Sequence, residues 1–223
     1  IYNYDVTGKR MEVLVEMRPE IDITHLAVPK PIAYTARDGT RVHGYLTLPR
    51  GREASGLPLI ILPHGGPYGI RDKLDYDDQV QLLANRGYAV LQPNFRGSGG
   101  YGQDFYDLGV GQIGRGMQDD LDDGMDWAVA RGIADPARVC VVGGSYGGYA
   151  ALWAVIRNPE RYRCAASFAG VTDWNLILKY DRRFFTREAS RRWRQRVEGE
   201  EEFDLDDVSP YRHAETPNRP VLI

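Results

Sequence analysis

Val139-Cys140-Val141-Val142-Gly143-Gly144-Ser145-Tyr146-Gly147-Gly148 is the stretch that decides how this chain is read. Its four opening apolar residues suit a strand buried on both faces. A glycine-rich turn follows, and residues 149–157 (YAALWAVIR) carry the pattern of a helix. Ser145 sits in the turn with a glycine two positions to either side, the Gly143-x-Ser145-x-Gly147 spacing of a nucleophile elbow. The requirement behind that spacing is steric. The turn forces the serine into a strained backbone conformation, and side chains at the flanking positions would strike the adjoining strand and helix. Glycine removes the collision, so the hydroxyl stands clear at the top of the sheet. The competing reading is an incidental serine in a plain turn; a strand before it and a helix after it weigh against that.

Outward from this point the same alternation repeats. Residues 59–62 (LIIL) form another continuous apolar run. Residues 77–86 read as a helix with Val80, Leu82 and Leu83 on its apolar side, stopped by Gly87. Residues 88–93 are a strand; residues 117–131 are a helix with Leu121, Met125, Trp127 and Ala128 inward, ended by Gly132. Strands follow at 164–169 and 220–223. Strands alternating with helices imply an α/β fold: a mostly parallel sheet with helices on both faces. Ahead of it, residues 32–36 and 42–48 flank Arg37-Asp38-Gly39-Thr40, a good hairpin turn.

The first residues differ. Residues 1–5 and 12–16 are strand-like around the turn Thr7-Gly8-Lys9. A lone hairpin cannot bury a core, so it is expected to belong to something larger upstream. Residues 18–31 hold three prolines and read as a linker. The expected division is 1–30 as an appended blade end and linker, and 31–223 as the α/β domain, incomplete at its C-terminus.

The 223 residues suffice for one large α/β domain. A net charge of −3 argues against a nucleic-acid partner, which favours a basic face. No apolar run approaches membrane-spanning length, so no membrane partner is expected. The chain begins at Ile1 with no secretory signal; the cytoplasm is the expected compartment, with the periplasm and secretion left open. Cys140 and Cys164 both lie in apolar strand-like runs that parallel pairing could bring near each other; they are read as buried free thiols acting as small hydrophobes. No spacing suggests a metal site, and no cofactor is expected. The acids Asp119, Asp120, Asp122 and Asp123 are read as favouring a helix N-terminus. Residues 181–207 hold seven arginines in their first half and seven acids (Glu198, Glu200, Glu201, Glu202, Asp204, Asp206, Asp207) in their second. They read as a surface excursion held by intramolecular pairing.

An acyl-transfer serine needs a base, a group that orients the base, and donors for the developing oxyanion. His64-Gly65-Gly66-Pro67 directly follows the strand at 59–62, where such a fold places one donor loop. The expected donors are the backbone N–H groups of Gly66 and Tyr146. In an α/β-hydrolase the acid and then the histidine follow the serine. Only His213 follows Ser145, and it precedes the strand after which the acid belongs. Neither His64 nor His213 is therefore assigned as base; the base and its acid are expected past Ile223, and residues 1–223 alone are expected to have little activity.

His64-Gly65-Gly66-Pro67, Asn94-Phe95-Arg96-Gly97-Ser98-Gly99-Gly100-Tyr101-Gly102, Asp119-Asp120, Asp135-Pro136-Ala137-Arg138-Val139 and Gly143 to Tyr149 occur in that order. This combination resembles the prolyl oligopeptidase family of serine peptidases, nearest its acylaminoacyl-peptidase and bacterial dipeptidyl-peptidase-like branches, over about residues 30–223. The resemblance implies an α/β-hydrolase fold, Ser145 as nucleophile, Gly66 and Tyr146 as oxyanion donors, and a triad Asp and His beyond Ile223. Residues 1–16 are similar to the last hairpin of the β-propeller that precedes the hydrolase domain there, which makes a propeller in the same chain an implied partner. In prolyl oligopeptidase itself a tyrosine hydroxyl is one oxyanion donor; the matching position here is His64, which favours the Gly66 backbone. Val171, in Gly170-Val171-Thr172-Asp173-Trp174, matches a position lining that family's specificity pocket, with Trp174 as a companion; core packing is the alternative for both. Arg96 and Asp120 are read as a buried pair steadying the loops around the site.

The function expected is serine-type hydrolysis of short peptides or acyl-peptides through an acyl-enzyme on Ser145. A carboxylesterase is the alternative within the same chemistry, and a non-catalytic α/β-hydrolase-like binding domain is the alternative outside it. The resemblance also implies that exopeptidases of the family select the substrate amino terminus with propeller residues.

Overall fold

A computed structural model describes residues 1–16, 18–200 and 203–223. The hairpin comes first: β1 (Tyr2–Asp5) pairs antiparallel with β2 (Arg10–Val13), and every residue of both strands is exposed. The linker is not loose. Arg18 reaches Asp78, and the Gln81 side chain bonds both the N–H and the carbonyl of Ala27.

Seven strands make one sheet: β3 (Lys30–Thr35), β4 (Arg41–Thr47), β5 (Leu57–Ile61), β6 (Ala89–Asn94), β7 (Ala134–Gly144), β8 (Cys164–Phe168) and β9 (Val221–Leu222). Their order is β3-β4-β6-β5-β7-β8-β9. The β3–β4 hairpin and the β4–β6 pair are antiparallel, and all other neighbours are parallel. The helices are α1 (Asp78–Asn85), α2 (Gln103–Asp107), α3 (Gly116–Ala130), α4 (Tyr146–Arg157), α5 (Trp174–Asp181) and α6 (Arg187–Glu198).

Alternation along β5 shows how the layers form. Leu59 and Ile61 point to one face, where α3 and α4 bring Leu121, Met125, Ala150 and Ala154. Ile60 and Leu62 point to the other, where α1 brings Val80 and Ala84. A strand buried on both faces must be apolar throughout, which is why LIIL reads as it does. This is the α/β-hydrolase fold.

Several expectations need correction. Leu82 is 55% exposed, not on the apolar side of α1. Two residues rotate a helix by about 200°, so Leu82 cannot share a face with the buried Val80. The elbow helix begins at Tyr146, not Tyr149, because Ser145 itself is its N-cap. Cys140 and Cys164 are not free thiols. They are register partners on the parallel strands β7 and β8 with Cα atoms 4.8 Å apart, within bridging reach, and form a disulfide. The acids of α3 are not explained by the helix dipole alone. Asp120 and Asp122 are fully buried and Asp123 nearly so; they bond Arg96, Tyr162 and Arg37 respectively.

In residues 181–207, pairing is only partial. Arg192 pairs with Glu188 and Arg194 with Glu198, both within α6. Arg182, Arg183, Arg187 and Arg191 make no ion pair among the described residues; Glu201 and Glu202 lie outside them.

Candidate active site

The turn between β7 and α4 holds Ser145 at φ 55° and ψ −121°, a left-handed conformation rare for a residue with a side chain. Its N–H donates to the Phe168 carbonyl on β8 at 2.8 Å, which anchors the turn to the sheet. The flanking glycines are required by close approach. A Cβ on Gly143 would lie 2.5 Å from the Gly147 carbonyl, and one on Gly147 would lie 2.1 Å from the Pro63 oxygen.

That second contact brings the loop after β5 against the elbow. A Cβ on Gly65 would stand 3.5 Å from the Ser145 Cβ and 4.0 Å from its Oγ, so this loop lies directly beside the serine. Gly66 follows at φ +126°. The N–H groups of Gly66 and Tyr146 donate to no acceptor among the described residues. Tyr146 is the first residue of α4, and N–H groups of a first helical turn have no intrahelical partner. Two uncommitted donors and a strained serine hydroxyl thus share one corner of the sheet, where the helix dipole also favours negative charge.

Beneath them lies an aromatic stack. His64 lies on Phe95 with centroids 4.3 Å apart, Phe95 meets Tyr146 at 5.3 Å, and Tyr146 meets Tyr149 at 5.5 Å. The His64 ring is saturated: Nδ1 donates to the Gly65 carbonyl at 2.7 Å and Nε2 pairs with the Ser98 hydroxyl at 2.8 Å. Burial pushes this imidazole down to about 4, against the opposing effect of the Gly65 hydrogen bond. His213 pairs with the Asp206 carbonyl at 3.2 Å and sits edge-on to Trp153. His43 stacks on Tyr101, and His25 lies beside Asp22. Among the described residues no histidine bonds Ser145.

Arg96 and Asp120 do form a buried bidentate pair, with contacts of 3.0 and 2.7 Å, and the Arg96 N–H also donates to Asp120 at 2.8 Å. Asp38, in the β3–β4 turn, is a second partner at 2.8 Å that sequence reading missed. Burial works to raise the Asp38 carboxyl, but the Thr40 N–H and Arg96 outweigh it and hold the group at about 2. Burial likewise opposes the charge on Arg96, yet its bonds to the two carboxylates lift it above the ordinary arginine value.

Val171 is half-buried against the core, and Trp174 is 1% exposed, edge-on to Tyr149 at 5.0 Å. The structure therefore gives Trp174 the packing role. The open wall is elsewhere: a cavity of about 740 Å³ is bounded by Gly66 together with Asp181, Phe185, Trp193 and Arg196 of α5, α6 and the loop between them. Tyr68 fixes that wall to the Gly66 loop. Its hydroxyl donates to the Arg196 carbonyl at 2.7 Å, and its ring meets Trp193 at 5.9 Å. The sequence signal was the adjacency of Tyr68 to the His64–Pro67 stretch; its α6 partner is remote in the chain.

Residues 74–223 match the family model of the prolyl oligopeptidase family. The chain is 36% identical over 233 residues to dipeptidyl aminopeptidase BIII of Pseudoxanthomonas mexicana, an alignment covering 100% of this chain and 34% of that protein. It is 30% identical over 178 residues to an acylamino-acid-releasing enzyme of Arabidopsis thaliana, covering 74% of this chain and 22% of the relative. Among solved structures, a puromycin-hydrolyzing peptidase of Mycobacterium tuberculosis superposes with a TM-score of 0.84 at 28% identity, over 99% of this chain and 34% of that one. The chain thus spans between about a fifth and a third of the length of these relatives.

Proposed function

This chain belongs to the prolyl oligopeptidase family, and from that premise we propose that it hydrolyses short peptides or acyl-peptides through an acyl-enzyme on Ser145. The observation that carries this reading is the strained serine beside two uncommitted N–H donors. Ser145 Oγ attacks the scissile carbonyl, and the carbonyl oxygen gathers negative charge against the N–H groups of Gly66 and Tyr146. The Ser145 proton passes to a histidine and from it to the leaving amine; water then attacks the acyl-enzyme and restores the hydroxyl. That histidine and its orienting carboxylate are assigned outside residues 1–223, because the rings of His64 and His213 are committed elsewhere. Residues 31–223 act as the catalytic domain and residues 1–30 as the end of a preceding β-propeller with its linker, consistent with a hairpin that buries nothing. No helix among the described residues is long and apolar enough to cross a membrane. The Cys140–Cys164 disulfide favours an oxidising compartment over the cytoplasm.

The test is a substrate profile of the intact protein on acyl-, dipeptidyl- and prolyl-amides and on matched simple esters. Amide hydrolysis lost by about 10³-fold or more in Ser145→Ala supports the peptidase. Ester turnover without amide turnover supports a carboxylesterase, and no turnover of either supports a binding domain.

A further inference from the structure

α5 packs one face on the core and leaves the other bare. Trp174 and Leu178 are buried. Leu176 and Tyr180 each lie two residues on, about 200° around the helix, and stand in solvent. Phe184, just past the helix end, extends this strip, its ring 5.2 Å from that of Tyr180. Leu176 and Phe184 are 63% and 68% exposed, so the strip is contiguous rather than a scatter of single apolar residues. Charge is segregated to its two ends. Beyond the C-terminal end, Arg182, Phe185, Arg187, Ser190, Arg191 and Arg194 line a cavity of about 420 Å³. Their α6 members fall at i, i+3, i+4 and i+7, one face of that helix. Arg194 pairs with Glu198, but Arg182, Arg187 and Arg191 make no ion pair among the described residues. Arg187 and Arg191 are like charges four residues apart, an arrangement that works against a helix. At the N-terminal end, Asn175 bonds Asp206 at 2.8 Å and so ties the 3-10 turn Leu205–Val208 to α5. Asp204 and Asp207 there are exposed and make no ion pair among the described residues. The eight residues of α5 set these two ends about 12 Å apart.

We propose that this face pairs with the same face of a second copy of the chain, the two α5 helices side by side and antiparallel across a two-fold axis. A two-fold interface uses one patch twice, so the patch has to complement itself. Antiparallel pairing meets that condition here. Leu176 and Tyr180 meet their counterparts at the centre. At each end the unpaired arginines of one copy meet Asp204 and Asp207 of the other. Parallel pairing would set arginine against arginine. A polyanion would gain the arginines at one end and be repelled by the acids at the other. The mixture of aromatic residues and arginine is the composition that the centres of protein interfaces favour. The proposal is independent of the chemistry at Ser145.

The test is the oligomeric state of the intact protein by sedimentation velocity, with two charge reversals. One variant carries Arg187→Glu and Arg191→Glu, the other Asp207→Lys; all three side chains are exposed. Wild type is expected to dimerise, with a dissociation constant that rises with salt as the charges are screened. Each variant is expected to associate with itself about tenfold or more weakly, because like charges then face each other at both ends. An equimolar mixture of the two is expected to regain most of the wild-type association. In the mixed pair glutamates meet the lysine at one end, and native arginines meet native acids at the other. A wild type that stays monomeric at low salt overturns the proposal: another segment of the chain, or nothing, then covers the face. A dimer that neither reversal weakens uses a different face and overturns it too. So does association lost in both variants and not restored by mixing, the result that damage to the fold alone requires. Should a reversal unfold the chain, the salt series on wild type still decides, since a dissociation constant indifferent to salt contradicts the pairing of charges.

Discussion

Ser145 carries a backbone conformation that costs a serine on the order of 1–3 kcal/mol, and it persists because β7, β8 and α4 over-determine it. This was legible in sequence because the remedy is written in glycine: Gly143 and Gly147 stand where any side chain would strike backbone. His64 was harder to place. Its position in the loop suggested chemistry, yet its ring is buried with both nitrogens engaged. That environment has a pH signature. The folded imidazole protonates near 4, whereas the unfolded one does so near 6.5. A depressed folded value means the stability gained from a neutral ring is complete above about pH 6.5 and is lost as pH falls toward 4. Denaturant unfolding of the wild type and of His64→Gln should show this. The stability gap between them narrows over that interval; a gap independent of pH contradicts the buried neutral ring.

Periodicity revealed the elements of the sheet, because a strand covered on both faces has to be apolar throughout and a covering helix on one side only. What periodicity could not give was pairing across elements. The disulfide depends on the register of β7 against β8, which places Cys140 opposite Cys164. The third member of the Arg96–Asp120 pair depends on where the β3–β4 turn lands, which brings in Asp38. That cluster locks three elements together: the turn, the loop after β6 and the start of α3. Removing one partner of a buried ion pair costs about 3–5 kcal/mol, since the other charge stays behind without water. Asp38 still faces Arg96 when Asp120 is removed, so Asp120→Ala should lose about 3 kcal/mol or somewhat less, the lower end of that range, and Arg96→Met combined with Asp120→Leu should recover much of it. A loss within about 0.5 kcal/mol of zero for the single variant, the range of ordinary surface substitutions, contradicts a structural role for the pair.

At the scale of the whole molecule the sheet brings together residues far apart in the chain. Gly66 from the loop after β5, Ser145 from the turn after β7 and the α5–α6 wall meet at one end of the strands, where open α/β sheets bind ligands. The elbow and the loop after β5 that lies beside it could be read from local motifs. The cavity could not, because Asp181 and Trp193 carry no motif and gain their meaning only from the packing of α6 against Tyr68. The chain matches about a third of its relatives' length, so the assembled site is best interrogated in the intact protein. The most direct measurement is reaction of that protein with a fluorophosphonate, followed by digestion and mass spectrometry of the adduct. An activated serine next to an oxyanion hole predicts one phosphonylated residue, Ser145, and no labelling of Ser145→Ala. An adduct on another residue, or labelling that persists unchanged in Ser145→Ala, contradicts the account.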